Sequence, residues 1–241
     1  KDDLKIVEGT YIINATNIGI KGKDLVAIKD GLFNITSGGD GIKSDNDTEE
    51  NKGVVYIENG TFDILAENDG MHGDNILQIE DGTINISNSY EGLEGAVVTI
   101  NGGTIDVVAT DDGINTAGGS DDTDSQDQDP FVVTGGKLIA VGSSGMAQNV
   151  SEDSSVPTVL YGFDEGVSSG TVIIIKDADE NEIERFTLEK DSAALLLSSE
   201  YLSVGSTYTI YGDGDSIGEF TMDSTVTTSN ITANQMGPGM K

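Results

Sequence analysis

The sequence predicts an all-β protein: a right-handed parallel β-helix of about 22 residues per coil with a C-terminal β-strand capping element. Two observations carry this prediction. A phrase close to Gly-Thr-aromatic/Ile-x-Ile recurs with a second glycine ten or nine residues later, and no helical apolar periodicity interrupts it. The first glycines are Gly9, Gly31, Gly60, Gly82, Gly103 and Gly136, and the second are Gly19, Gly41, Gly70, Gly92, Gly113 and Gly145.

The spacing and pattern of the copies explain why they should stack. The copies are 22, 29, 22, 21 and 33 residues apart, so a period near 22 is interrupted by acidic loops at 45–53 and 118–129. Apolar residues alternate at period two, as at Phe33 and Ile35, which is typical of strands. A repeat this short cannot bury its own apolar face, and the crossover rule favours a right-handed coil. The motifs of leucine-rich repeats and calcium rolls are absent.

The repeat divides the chain into three predicted parts: a parallel β-helix at 1–157, a β capping element at 158–225 and a flexible tail at 226–241. The period is lost after about Thr158, where strand-like segments flank an acidic turn. A stack of coils needs its open end covered against edge-to-edge pairing. We therefore favour a cap over an independent sugar-binding module for the middle part.

The composition excludes several classes of function. The chain has 43 acidic and 12 basic residues and a net charge of −31, which excludes nucleic acid as a natural ligand because no basic patch replaces the phosphate counterions. No apolar run is long enough to span a membrane. The sequence contains no cysteine and no tryptophan, which argues against a disulfide scaffold.

Acidic residues recur at one corner of the predicted stack. The residue before the second glycine is acidic in four consecutive copies: Asp40, Asp69, Glu91 and Asp112. Such positions lie about 4.8 Å apart, where unit charges repel by roughly 1 kcal/mol in water. Oxygen ligands at this spacing suit Ca²⁺, and further candidate ligands follow the glycine: Asp45, Asp74 and Glu94. The alternative is that each Asp only caps its own turn, and four in register favour calcium.

Three phrases resemble a known family: Ser89-Tyr90-Glu91-Gly92-Leu93-Glu94, Ala109-Thr110-Asp111-Asp112-Gly113-Ile114-Asn115, and Gly135-Gly136-Lys137-Leu138 with Ser143-Ser144-Gly145-Met146-Ala147. In this order they resemble the calcium-containing, carbohydrate-binding β-helix proteins of cellulolytic clostridia, which are structurally similar to pectate lyases. The resemblance implies a secreted or surface-attached protein that binds cellulose and acidic sugars such as polygalacturonate. Its partner would be plant cell-wall polysaccharide, and a monomer is expected.

The residues favour a non-catalytic binder over an enzyme. A pectate lyase needs a basic residue to abstract a proton, and the only arginine, Arg185, lies outside the repeat. Lys43 stands among acidic residues, and carboxylates raise the pKa of a lysine and oppose base catalysis. His72 is a candidate base, but a single exposed histidine at a corner is more often a bystander. Three alternatives stay open: a calcium-dependent pectate-lyase-like enzyme, a glycosidase with paired carboxylates, and a purely structural cell-surface protein.

Sugar contacts are expected from four residues near the acidic corner or on the outward strand face: Tyr90, Tyr56, Lys43 and His72. Ca²⁺ with open coordination positions is expected to bridge the protein and uronate carboxylates, whereas neutral cellulose needs a flat face with aromatic side chains. A second polar ladder is expected as a solvated stack on the outward face: Asn34, Asp63, Asn85 and Asp106.

Overall fold

The computed structural model of the chain describes residues 2–49, 51–116, 131–145 and 147–231. The described residues form strands and turns without a helix, which confirms the all-β class. The strands of the first part are β1 Asp3–Ile6, β2 Thr10–Ala15, β3 Ile20–Gly22, β4 Leu25–Ile28, β5 Leu32–Ser37, β6 Ile42–Ser44, β7 Val54–Ile57, β8 Thr61–Ala66, β9 Met71–Ile79, β10 Thr83–Ser89, β11 Leu93–Ile100, β12 Thr104–Ala109, β13 Ile114–Asn115, β14 Phe131–Val133 and β15 Lys137–Gly142. Those of the remainder are β16 Thr158–Val167, β17 Val172–Asp177, β18 Glu182–Thr187, β19 Ser192–Ser198, β20 Thr207–Gly212, β21 Asp215–Thr221 and β22 Val226–Ser229.

The first sheet has nine strands in the described chain, and all its pairings are parallel. Its main path is β1–β4–β7–β9–β11–β13, and β3, β6 and β14 join it from the side. Residues one copy apart are partners, so Ile28, Ile57 and Ile79 lie side by side and are fully buried. The period-two apolar pattern therefore places one face of this sheet in a core.

The second sheet follows the order β2–β5–β8–β10–β12–β15–β19–β16–β22. Its strands are parallel from β2 to β15, and β19 then pairs antiparallel with both β15 and β16. The rings of Tyr11, Phe33 and Phe62 stack with centroids 4.9 and 4.6 Å apart, because their strands are in register. Phe33 and Phe62 share one buried core with Val55 of the first sheet.

A second core lies on the other face of the second sheet. Val141 of β15, Tyr161 of β16 and Leu195 of β19 form one buried cluster with Ile175 of β17 and Ile210 of β20. The strands β18–β17–β20–β21 form a third sheet that is antiparallel throughout. The third sheet thus covers one end of the second sheet, and β15 and β19 are buried on both faces.

The structure corrects the predicted fold class. The chain is not a single right-handed parallel β-helix with a separate cap, because its described strands form several sheets of which one is mixed and one antiparallel. Strands of the predicted cap, β16 and β19, extend the second sheet itself. Periodicity could not reveal this, since β19, the antiparallel partner of β15, belongs to a region without the repeat.

Three further expectations concern the C-terminal tail, the loops and the domain boundary. The strand β22, assigned to the predicted tail, pairs in parallel with β16. The rest of that tail beyond residue 231, the acidic loop at 118–129 and Met146 lie outside the described residues. The second sheet contains strands from both sides of the predicted boundary at residue 157, and the division into three parts stays a prediction. No helix suited to crossing a membrane occurs in the described ranges.

Candidate functional site

The acidic ladder, defined as Asp40, Asp69, Glu91 and Asp112, is aligned by backbone hydrogen bonds at the corner after the second sheet. In each copy the amide of the second glycine donates to the carbonyl of the acidic residue in the next copy. The donors and acceptors are Gly19 to Asp40 at 2.9 Å, Gly41 to Asp69 at 2.8 Å, Gly70 to Glu91 at 3.0 Å and Gly92 to Asp112 at 2.9 Å. The four acidic residues therefore occupy neighbouring positions in the stack.

Glycine is needed at this corner because neighbouring copies approach closely. A Cβ atom on Gly41 would lie 2.5 Å from the carbonyl oxygen of Gly70, and one on Gly70 would lie 2.6 Å from that of Gly92. A side chain at either position would push the copies apart. The close approach buries the adjoining carboxylates: Asp40 and Asp69 are 4% exposed and Asp112 is 3% exposed. A buried charge requires a partner, and the ladder meets this requirement differently along its length.

Lys43 supplies the first internal cation. It lies in β6, in register with His72 of β9. Its Nζ is 3.4 Å from Asp40 Oδ2 and 4.0 Å from Asp74 Oδ1. Burial acts to raise the pKa of Asp40, but the amide of Asn68, which donates to Oδ1 at 2.5 Å, and the charge of Lys43 outweigh it and lower the pKa. Asp40 is therefore held as a carboxylate by the protein itself.

His72 supplies the second internal cation. Its Nδ1 is 3.0 Å from Asp69 Oδ2 and 2.7 Å from Glu94 Oε2, and its Nε2 is 3.0 Å from Asp74 Oδ1. Burial opposes a charge on the ring, but the hydrogen bonds to Asp69 and Glu94 prevail and raise the pKa of His72 to about 9. Lys43 Nζ lies 3.1 Å from the same Nδ1. This approach of two positive groups is offset by the carboxylates around them.

We call Asp40 and Asp69, together with Lys43 and His72, the neutralised half of the ladder. Burial raises the pKa of Asp69 to about 6, although the hydrogen bond with His72 acts in the opposite direction. The neighbouring charge of Glu94 adds to the rise. In this half the excess of negative charge is balanced by side chains of the same chain.

We call Glu91 and Asp112 the open half of the ladder. Asn115 donates from Nδ2 to Glu91 Oε2 at 2.8 Å. Within the described part of the chain, Asp112 Oδ1 is buried without a hydrogen-bond partner, and neither carboxylate forms an ion pair. Burial, followed by the charges of Asp111 and Glu91, raises the pKa of Asp112 to about 7. Burial also raises the pKa of Glu91. Among the described residues, the open half therefore lacks the internal cations that offset the negative charge of the neutralised half.

The two predicted tyrosines lie in different places. Tyr90 is 48% exposed beside the open half, and a hydrogen bond to Asp111 and the charge of that carboxylate raise its pKa. Tyr56 lies in β7 in register with Gln78 of β9, which is four residues beyond Asp74. That separation is about 13 Å along the strand. The structure thus brings Tyr90 to the ladder and leaves Tyr56 away from it.

Asp45 and Arg185 each have an ion-pair partner of their own. Asp45, predicted as a calcium ligand, forms an ion pair with Lys21. Arg185 lies on β18 and makes two hydrogen bonds to Glu182, at 2.8 Å from Nε and 2.6 Å from an Nη atom. Asp45 thus already has a cation of the chain as its partner, and its role as a calcium ligand stays a prediction. A protonated His72 is a poor general base.

The donor chemistry of the two halves suits different occupants. Ligand atoms lie within 4.8 Å of one another in two groups: Asp40 with Asp69 and His72, and Asp69 with Glu91 and Glu94. The first group contains a protonated histidine beside a lysine, which disfavours a cation. The second contains only carboxylates, the hard oxygen donors that Ca²⁺ prefers. The second group fits a hard cation such as Ca²⁺, although Asp69 and Glu94 also contact His72.

Two amide side chains that the sequence did not single out as site residues complete the ladder. Asn68 donates to Asp40 and, at 3.1 Å, to Asp69 Oδ2. Asn115 donates to Glu91. An available signal was their position, since Asn68 directly precedes a ladder residue and Asn115 follows the second glycine by two residues.

The second polar ladder has the predicted register. Asn34, Asp63, Asn85 and Asp106 are successive partners on the outward face of the second sheet. Asn85 donates to Asp63 at 3.3 Å. Burial raises the pKa of Asp106, with a further contribution from Glu184 of β18. This ladder is therefore exposed at one end and covered by the third sheet at the other.

These features define an all-β chain whose in-register strands carry a buried acidic ladder with one uncompensated end. The profile of the family described as "Carbohydrate-binding domain-containing protein" matches residues 1–145. The match spans the ladder and more than half of the chain, and the chain belongs to this family. The expectation of a carbohydrate-binding protein family is confirmed. Searches of the curated proteins and of the solved structures gave no significant match.

Proposed function

We propose that this protein is an extracellular or cell-surface binder of plant cell-wall polysaccharides, cellulose and polygalacturonate, and that it uses Ca²⁺ at the open half of the ladder. One observation supports this most: Asp112 Oδ1 is buried without a partner among the described residues, next to Glu91 and the exposed Tyr90. A buried carboxylate oxygen without a partner costs folding free energy, which a bound cation removes.

The ion would be held by three carboxylates whose oxygens lie within 4.8 Å of one another, Asp69, Glu91 and Glu94. Asp112, the next position along the ladder, would supply a further oxygen. When bound there, Ca²⁺ supplies positive charge and coordination positions open to a sugar carboxylate. A chain of net charge −31 repels a polyuronate, so this local charge is what permits contact. Tyr90 lies beside the site and offers an exposed ring to the face of a sugar.

The neutralised half has a different role in this proposal. The side chains of Lys43 and His72 are 19% and 11% exposed, and both are committed to carboxylates. We therefore assign them to holding the corner together rather than to sugar contacts. We leave Asp40, Asp45 and Asp74 out of the ligand set, because each contacts a cation of the chain. Asp69 and Glu94 also contact His72, and in this proposal they are shared between the ring and the ion.

The test is polygalacturonate binding by the full chain with Ca²⁺ and with EDTA. EDTA should lower affinity strongly. Asp112→Asn, which keeps the shape of the side chain, should lower the affinity measured in Ca²⁺ by roughly tenfold or more, because it removes one charged ligand of the ion. Isothermal titration calorimetry against oligogalacturonate measures both effects, and absorbance of unsaturated uronate products in the same samples would reveal a lyase.

The matched control is Asp63→Asn, which makes the same change of charge on the exposed outward face of β8. It should bind as the unaltered protein does. Binding that is indifferent to EDTA, or an Asp112→Asn variant that stays folded and binds normally, would refute the calcium mechanism.

A further inference from the structure

A polar groove lies at the other corner of the second sheet, where its strands begin. It has a volume of about 430 Å³ and is lined by Asp30, Asn59, Gly60, Thr61, Asp81, Gly82, Thr83, Gly103 and Thr104. The strands β8, β10 and β12 start at this groove and end near the acidic ladder, so a strand of six residues or more separates the two. The groove is therefore distinct from the proposed calcium site.

Three threonines form a regular row along the groove. Thr61, Thr83 and Thr104 are direct partners in adjacent parallel strands. They are about 4.8 Å apart, as parallel strands require. All three are exposed, and in the described part of the chain their hydroxyl groups have no hydrogen-bond partner. The row thus offers one free donor and acceptor per strand.

Corner side chains form a second row beside the threonines. Asp30 Oδ1 accepts a hydrogen bond from the amide of Gly31 at 2.7 Å, and Asp81 Oδ1 accepts one from Gly82 at 2.8 Å. Each carboxylate is thereby oriented by its own turn and retains a second oxygen. Asn59 stands at the equivalent corner between them. These groups add acceptors and an amide to the hydroxyls of the threonine row.

The chemistry of the lining selects an uncharged, hydroxyl-rich chain. Among the described residues, no basic and no aromatic side chain lines the groove, so Asp30 and Asp81 repel anionic sugars. Hydroxyl and carboxylate acceptors repeated once per strand match a polymer that presents hydroxyls at a similar regular spacing. Such a polymer would run across the strands, parallel to the direction in which the copies stack.

We infer that this groove binds a neutral, extended β-1,4-linked glucan chain through the hydroxyls of Thr61, Thr83 and Thr104, without a metal. The inference rests on the cellulose part of the proposed function and assigns that part to a site of its own. Acidic glycan and neutral glycan are then bound at opposite corners of the same sheet.

The probe is cellohexaose, titrated into the full chain in EDTA. The triple variant Thr61→Val, Thr83→Val and Thr104→Val keeps the β-branched shape and removes only the hydroxyls. Its affinity should fall at least roughly tenfold, since each hydrogen bond lost costs several-fold. Its Ca²⁺-dependent binding of oligogalacturonate should be unchanged, which separates this inference from the calcium proposal.

Two further variants test whether the row of threonine hydroxyls itself sets the affinity for the glucan. Thr10→Val, at the same register position on β2 but outside the groove, should bind cellohexaose normally. Leu32, 54% exposed, interrupts the row between Thr10 and Thr61. Leu32→Thr should therefore tighten binding of a longer cello-oligosaccharide, a gain that misfolding cannot mimic. Absence of cellohexaose binding to the unaltered protein, loss of that binding in EDTA, or a triple variant that binds normally would overturn the inference.

Discussion

His72 shows how a single side chain can neutralise a crowded acidic corner. It contacts Asp69, Asp74 and Glu94 within 3.0 Å. These carboxylates favour the imidazolium, and the pKa of His72 rises to about 9 from an ordinary value near 6.5. A raised pKa in the folded state means that the proton stabilises folding below the ordinary value and that this contribution disappears as the pH rises through 9.

His72→Gln should therefore destabilise the calcium-free protein most at pH 6, by about 3 kcal/mol, because a pKa raised from 6.5 to about 9 corresponds to roughly that free energy. The difference from the unaltered protein should shrink as the pH approaches 9.5. Urea unfolding in EDTA at pH 6, 8 and 9.5 measures this. A difference that stays constant from pH 6 to 9.5 would show that the ring acts through packing alone.

The ladder contrasts two ways of placing a carboxylate in a protein interior. Asp40 has Asn68 and Lys43, and its pKa falls. Burial raises the pKa of Asp112 to about 7, and the neighbouring charges of Asp111 and Glu91 add to the rise. Residue type is the same in both cases, and the surroundings decide which of the two requires a partner from outside the protein.

The corner glycines are the most tightly constrained positions of the strands and turns, because adjacent turns are in van der Waals contact. At Gly70 a Cβ would meet Gly92 O at 2.6 Å and Ile86 Cδ1 at 2.6 Å. The first contact is with backbone, which cannot move without disturbing the neighbouring copy. Strand length and corner chemistry therefore act together: the strands set the register and the glycines let the turns stack.

Gly70→Ala should lower the free energy of unfolding by roughly 3 kcal/mol, the upper range for overpacking in a well-packed interior. Gly166→Ala is the matched control, because the nearest atom to its added Cβ is Ser192 O at 3.7 Å. Urea unfolding of both variants measures the difference. Equal, small effects of the two substitutions would show that the turns can separate at little cost.

The whole molecule carries a net charge of −31, and much of its acidic surface is repeated from strand to strand. A cation bound only by the folded chain stabilises it by mass action and reduces this repulsion. Salt screens exposed charges with a Debye length of about 10 Å at 0.1 M and 3 Å at 1 M, but screens a buried group much less. The stabilisation by salt screening can therefore be separated from the stabilisation by a specifically bound cation.

Replacing 1 mM CaCl₂ by EDTA should lower the melting temperature by about 5–10 °C, which corresponds to a ligand at roughly 100 times its Kd for a chain of this length. Mg²⁺ should restore less, because it favours fewer and stricter ligands. Sodium chloride should restore part of the loss by screening. Differential scanning calorimetry provides the comparison, and a midpoint unaffected by EDTA would contradict a specific ion.

The sequence by itself determined the all-β class, the register of the copies and the alignment of the acidic ladder. These follow from local patterns: period-two apolar residues place one strand face inward, and a slip by one residue would expose Phe33, Phe62 and their equivalents. Glycine at fixed intervals marks the corners. A motif repeated along the chain thus specifies its neighbours in space without information from elsewhere.

The tertiary structure decided how the sheets continue and which carboxylates are already neutralised. β19 pairs with β15 from a region without the repeat, so only long-range packing of the second core selects this antiparallel continuation. Lys43 and His72 reach Asp40 and Asp69, while Glu91 and Asp112 have no such cation among the described residues. Residue type alone could not separate these halves, because burial and the side chains of adjacent strands set the cost of each charge.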